Sequence, residues 1–165
     1  MPSAVLAAAY ALHLLATVIW IGGLVVLSFF VSPLLTRLPD AERQAAQQAT
    51  LRRFVPLAWL CLAVFIVTGL TQMSANPSYA GLLVIHNPWT VAILAKHLVV
   101  GLMASLLAYQ TWALHPRLER AALGLIAEDP AALARLHRVD LHLTRMSALL
   151  GILVLVLTAF ARASN

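Results

Sequence analysis

Hydrophobic residues form four long runs along the chain, and most charged residues lie in the short segments between them. The runs cover approximately residues 4–35, 54–72, 89–114 and 141–160. A helix of roughly 20 residues crosses a hydrocarbon core about 30 Å thick, so each run is long enough to span a membrane. Because backbone groups in lipid must form their hydrogen bonds within their own segment, each run is predicted to be helical. We therefore expect an all-α, integral membrane four-helix bundle in which residues 1–165 form a single domain.

Two of the helices are predicted to begin well before their hydrophobic runs. Asp129 and Pro130 combine a favourable N-cap residue with a proline in the first helical turn, which is a strong start signal. Pro39 and Asp40 give a weaker signal after the first run. We expect the second and fourth helices to start at these positions and to run unbroken into the membrane.

The composition agrees with a membrane protein and excludes several function classes. Hydrophobic residues make up 62% of the chain and charged residues 10%, whereas about a quarter of a soluble domain is charged. The HExxH, GxSxG and P-loop motifs, typical of several hydrolases and phosphoryl-transfer enzymes, are absent from the sequence. Cys61 is the single cysteine, so an internal disulfide is excluded and Cys61 is expected to be a small core residue.

The distribution of arginine predicts the orientation of the bundle. Positively charged residues favour cytoplasmic loops, and here they lie in the first and third connections but not in the second. We therefore expect a multi-pass protein of a bacterial-type inner (plasma) membrane with both termini outside. Anionic membrane lipid accounts for the net charge of +5, and no nucleic-acid partner is expected. The loop arginines are Arg37, Arg43, Arg52, Arg53, Arg117, Arg120, Arg135 and Arg138.

Two histidines lie inside hydrophobic runs at a similar predicted depth. His13 is about nine residues into the first run, roughly 13 Å at 1.5 Å per residue, and His97 is about eight residues into the third. Both runs enter from the same side. Imidazoles on different helices at one depth are the arrangement that bis-His haem ligation or a metal site requires, and a polar contact within the bundle would look the same. Thr17 and Trp20 are expected on the face of His13.

The third run also carries a positive charge and a stripe of small residues. No hydrophobic run contains an Asp or Glu that could pair with Lys96, so a bound anion such as a haem propionate could balance its charge. The alternative is that the Lys96 side chain reaches the lipid headgroups. Small residues favour either close helix packing or a slot for a macrocycle. The stripe contains His97, Gly101, Ala104, Ala108, Thr111 and His115.

A second group of basic residues is expected at the cytoplasmic face. Most of these residues are expected to anchor the helix ends at the lipid headgroups. The alternative is that His142 and Arg145 hold a second cofactor or an anion. His142 is expected to be the member inside the bundle. The group contains Arg52, Arg53, His115, His137, His142 and Arg145.

A copper site is the alternative to haem. Copper(I) prefers thiolate and thioether ligands, and Met73 lies near the outer end of the second run. His86 lies in the outer connection. Met73 and His86 could join His13 and His97 in an outward-facing copper site.

Several stretches resemble a known family. "LHLLATVIWIGGL" (12–24), "RRFVPLAWLCLAVFIVTGL" (52–70), "ILAKHLVVGLMASLLAY" (93–109) and "RMSALLGILVLVLTAFA" (145–161) are similar to the CopD-type membrane domain. This resemblance implies copper handling or uptake. The sequence is also similar, more weakly, to the HemJ-type protoporphyrinogen oxidases, in which a helix-1 His and a helix-3 Lys would correspond to His13 and Lys96. In the fourth run, "TRMSALLG" departs from the Asn-Glu signature expected of that second family.

Three functions remain open from the sequence. The first is a membrane protein that binds b-type haem through intramembrane histidines, for electron transfer or porphyrin-linked redox chemistry with a redox partner. The second is a copper-handling or copper-uptake protein. The third is a structural subunit of a larger membrane complex.

Overall fold

Helices form nearly all of the structure, a computed structural model that describes residues 3–75, 88–126 and 129–163. The chain folds into four helical spans. The first consists of α1 (Ser3–Val26) and α2 (Ser32–Leu35), joined by a π-helical turn at Leu27–Val31, and the second is α3 (Asp40–Ser74). The third consists of α4 (Pro88–Tyr109) and α5 (His115–Ala122), joined by a π-helical turn at Gln110–Leu114, and the fourth is α6 (Pro130–Ala163).

The four spans confirm the predicted fold class. Each contains a helix that is long and apolar enough to cross a membrane. The two predicted helix starts are also confirmed, because α3 begins at Asp40 and α6 at Pro130. The third span is longer than its hydrophobic run, since its helix continues to Ala122.

Each π-helical turn lies directly before a proline-containing turn of helix. Pro33 and Pro116 stand near the start of α2 and α5. A proline ring clashes with the carbonyl four residues earlier and donates no hydrogen bond to it, and a wider turn relieves that clash. At the first turn, the Ser32 hydroxyl donates to the Leu27 carbonyl oxygen at 2.7 Å. The wider turns therefore let the first and third spans continue past their prolines.

The first span packs against the second and the fourth, and the fourth packs against the third. Trp20, Ala58, Met103 and Ala148 are buried at the centre of the resulting core. Cys61 is also buried there, which confirms it as a small core residue.

The two ends of the bundle differ in charge. We call the end that holds the first and third connections the basic end, because the loop arginines lie there. The opposite end, where α1 and α4 begin and α3 and α6 finish, is called the terminal end.

Candidate functional site

A cavity of about 1090 Å³ lies among the four spans in the half of the bundle nearer the terminal end. Its volume slightly exceeds the range of about 300–1,000 Å³ found for small-molecule sites. All four spans contribute to its wall. Four residues predicted to form a site line this one cavity: His13, Met73, Lys96 and His97.

His13 is held in a defined tautomer by the second span. Its Nδ1 lies 2.8 Å from the Thr68 hydroxyl oxygen, and that hydroxyl lies 2.6 Å from the carbonyl oxygen of Val64. The Thr68 hydroxyl has one proton, which it donates to Val64, so it must accept the proton of His13 Nδ1. The edge of Phe65 packs against the imidazole, with ring centroids 4.9 Å apart. His13 Nε2 is therefore left unprotonated, with its lone pair available.

His97 is held in the same tautomer by a carbonyl group of its own helix. Its Nδ1 lies 2.7 Å from the carbonyl oxygen of Ile93. Since a carbonyl oxygen only accepts, Nδ1 carries the proton, and in the neutral imidazole Nε2 carries the lone pair. Among the described residues, neither His97 Nε2 nor His13 Nε2 forms a hydrogen bond. Metal-binding histidines commonly donate their other nitrogen to a carbonyl or similar acceptor in this way.

Met73 and Lys96 bring opposite chemistry to the cavity. Met73 is 9% exposed and supplies a soft thioether. Lys96 is partly buried and supplies a positive charge. Near Met73, the Gln72 amide donates to the Ala9 carbonyl oxygen at 3.2 Å, which ties the second span to the first. The cavity therefore combines neutral nitrogen and sulfur donors with one cation.

The sequence left two roles open for the small-residue stripe, close helix packing and a macrocycle slot, and Gly101 serves neither. Gly101 is exposed, and nothing lies within 4 Å of the position that a Cβ would take there. The third span instead turns Ile93, Lys96, Val100 and Met103 toward the cavity, together with His97. Burial of Met103 in the core sets this rotation of α4.

Of the remaining predicted site residues, His142 and Arg145 do not line the cavity. His142 is exposed on α6, so the prediction that it lies inside the bundle is wrong. Two residues earlier, Asp140 is buried, and two positions on a helix differ by about 200°. Arg145 is partly buried, with its Nε unpaired among the described residues. His86 lies outside the described residues.

Thr68 is the functional residue that the sequence analysis missed. It is 5% exposed and orients His13 from a different span. The sequence did contain a signal, because Thr68 and Gln72 are polar residues four apart in a largely apolar helix. In the structure both side chains contact the first span.

No group of three His, Cys, Asp or Glu side chains within the described ranges is placed to hold a metal ion. A metal held in the cavity by three nitrogen and sulfur side chains of this part of the chain would therefore need a thioether, of Met73 or Met103, besides the two imidazoles.

Comparison with known proteins supplies the family. Residues 48–161, well over half of the chain, match the family model described as copper resistance protein D. The match covers the second, third and fourth spans, including Met73, Lys96 and His97, whereas His13 precedes it. Comparisons with curated proteins and with solved structures gave no match. The similarity to HemJ-type oxidases stays a prediction. By the extent of the family match, this multi-pass membrane chain belongs to the copper resistance protein D family.

Proposed function

We propose that the cavity binds copper(I) as cargo, and that the chain handles copper at the membrane. The ligands are His13 Nε2, His97 Nε2 and the Met73 sulfur. One observation carries the proposal: both imidazoles form their hydrogen bond through Nδ1, which leaves the Nε2 lone pair free, in a cavity that a buried thioether also lines.

The donor set suits copper(I). Imidazole is a good copper ligand, and the soft thioether favours copper(I) over harder cations such as magnesium or calcium. Ligands held by neighbouring groups also lose less freedom when a metal binds. Thr68 and the Ile93 carbonyl provide this support for His13 and His97.

The position of the cavity supports access from one side. Trp20, Met103 and Leu107 belong to the packed core, on the side of the cavity nearer the basic end. Copper would therefore enter from the terminal end, which is predicted to lie outside from the arginine distribution.

The positive charge of Lys96 repels a bare cation in this cavity, so substituting Lys96 is a direct test of the proposal. Two unit charges about 10 Å apart in an effective dielectric of about 20 repel by about 1.7 kcal/mol. Replacing Lys96 with Met should therefore leave copper(I) affinity unchanged or raise it, by up to about 20-fold.

Haem b is the second candidate, favoured by the same lysine. A haem carries propionates that Lys96 could balance, and the cavity of about 1090 Å³ is roomy. His13 and His97 would be the axial ligands. Under this alternative, Lys96→Met weakens retention of the cofactor, so the two candidates predict opposite effects of one substitution.

The experiment measures copper(I) affinity of the purified protein by competition with a chromogenic copper(I) chelator. We expect His13→Ala, His97→Ala and Met73→Leu each to lower the affinity at least tenfold. His142→Ala and Met146→Leu are matched controls, because both residues are exposed on α6. They should bind like the unmodified protein.

An absorption spectrum of the same samples separates the alternatives. A Soret band that disappears in His13→Ala and His97→Ala would replace copper with haem. Copper affinity equal in all five variants, with no Soret band, would refute both functions and favour a structural role.

A further inference from the structure

A buried carboxylate lies near the basic end, apart from the cavity. Asp140 is 4% exposed on α6. Its Oδ1 accepts a hydrogen bond from the Gln110 amide nitrogen at 2.9 Å and lies 3.1 Å from His115 Nε2. The Gln110 amide also lies 3.1 Å from the Thr144 hydroxyl oxygen. The second π-helical turn begins at Gln110 and ends just before His115, so it sets the spacing of both partners.

Packing alone gives no reason for this pair. A charged group removed from water is costly unless it is paired and hydrogen-bonded, and an apolar pair of similar volume would often be as stable. Ionisable residues within membrane-spanning helices commonly serve ion or proton movement. The proposed copper site uses neither Asp140 nor His115.

His115 connects the carboxylate to a second cavity. A cavity of about 270 Å³ at the basic end is lined by His115 and His137, with Gln44, Gln47 and Gln48 from α3. Its volume exceeds the share of about 30 Å³ that one water molecule occupies in the liquid. The Nδ1 of His137 is buried, and no hydrogen-bond partner for it occurs among the described residues. Polar groups therefore continue from this cavity to the buried carboxylate.

We propose that His115 and Asp140 form a proton-binding site that loads through the cavity at the basic end. With Asp140 ionised, His115 Nε2–H donates to Asp140 Oδ1, and the lone pair of His115 is on Nδ1. A hydronium ion in the cavity transfers its proton to Nδ1 and leaves as water. The imidazolium so formed is balanced by the Asp140 carboxylate, and release reverses the same step.

Other charged groups border this route. Arg52 of α3 and Glu119 of α5 line the cavity and form an ion pair at 2.7 Å, so their charges largely cancel. Arg43 of α3 and His137 of α6 interact electrostatically. Arg145 lies further along α6. The Asp140 carboxylate contacts His115 directly, so it is the group that balances an imidazolium formed there.

The test is nuclear magnetic resonance of ¹⁵N-histidine-labelled, metal-free protein in lipid nanodiscs, with the His115 signal assigned by its loss in His115→Gln. We expect a charged His115 imidazole at the acid end of a pH series and a neutral one at the alkaline end. In Asp140→Asn, the charged form should no longer appear at the acid end. His142→Gln is the control, because His142 is exposed and should leave the His115 titration unchanged.

Access is tested in vesicles that hold the protein in one orientation. The charge of His115 should follow the pH of the compartment facing the basic end. A His115 signal that keeps one charge state through the whole pH series would overturn the proposal, and so would one that follows the other compartment. If Asp140→Asn does not fold, Asp140→Glu keeps the charge, and the same titration should persist. Since no metal is present, these results are independent of copper binding.

Discussion

Replacing Thr68 with valine should weaken copper(I) binding without removing any ligand. Thr68 accepts the Nδ1 proton of His13 and so fixes the tautomer in which Nε2 is free. Valine has nearly the same shape but no acceptor. In the metal-free variant, the proton can move to Nε2 and face the cavity. Copper binding would then force it back to Nδ1, where it has no partner.

The size of this effect follows from the lost acceptor. A buried donor left without a partner costs about 1–3 kcal/mol, which corresponds to roughly 5- to 150-fold in affinity. Loss of groups that support metal ligands generally lowers metal affinity by about 10- to 100-fold. We therefore expect Thr68→Val to lower copper(I) affinity by about 10- to 100-fold.

Chelator competition measures this effect, and Thr71→Val is its matched control. Thr71 lies on the same helix and donates to the Val67 carbonyl at 2.8 Å, but this hydrogen bond is exposed and touches no histidine. Thr71→Val should bind copper like the unmodified protein. Equal affinities for Thr68→Val and Thr71→Val, in folded samples, would refute the role of the His13 tautomer.

Two further predictions concern packing and orientation. Gly23→Ala places a Cβ against the ring of Phe54 and should lower the free energy of unfolding by about 1–3 kcal/mol, as overpacking does. Gly22→Ala is the control, because no described atom lies within 4 Å of its added Cβ, and it should have little effect. Chemical unfolding of both variants in one detergent checks the difference, and equal stabilities would contradict the packing. Reporter fusions after Asn76 and after Glu128 should report the outside and the inside respectively, because the loop arginines lie in the first and third connections. Identical signals from the two fusions would contradict the predicted orientation.

Hydropathy was sufficient to predict the spans, because lipid leaves the backbone no alternative to helix. Depth could also be predicted. His13 and His97 enter from the same end at a fixed rise per residue, and they line the same cavity. Thr68 could not be assigned in this way, because its contact with His13 joins residues 55 apart in the sequence.

Rotation of a helix about its own axis was harder to predict from sequence. The fourth span shows why: Asp140, Ser147 and Ala148 are buried, whereas His142 and Met146 are exposed. In a membrane, apolar residues cover the lipid face as well as the core, so hydrophobicity does not distinguish the two. The small polar residues on the buried face are the better signal, whereas a small residue is not, since nothing described lies within 4 Å of the position that a Cβ of Gly101 would take.

The most direct test of the copper site is the X-ray absorption spectrum of the copper(I)-loaded protein at the copper edge. The proposed site predicts imidazole nitrogen and one sulfur in the first coordination shell. The sulfur should be lost in Met73→Leu and kept in Met146→Leu. A shell without sulfur in the unmodified protein, or one that Met73→Leu and His13→Ala leave unchanged, would contradict the site.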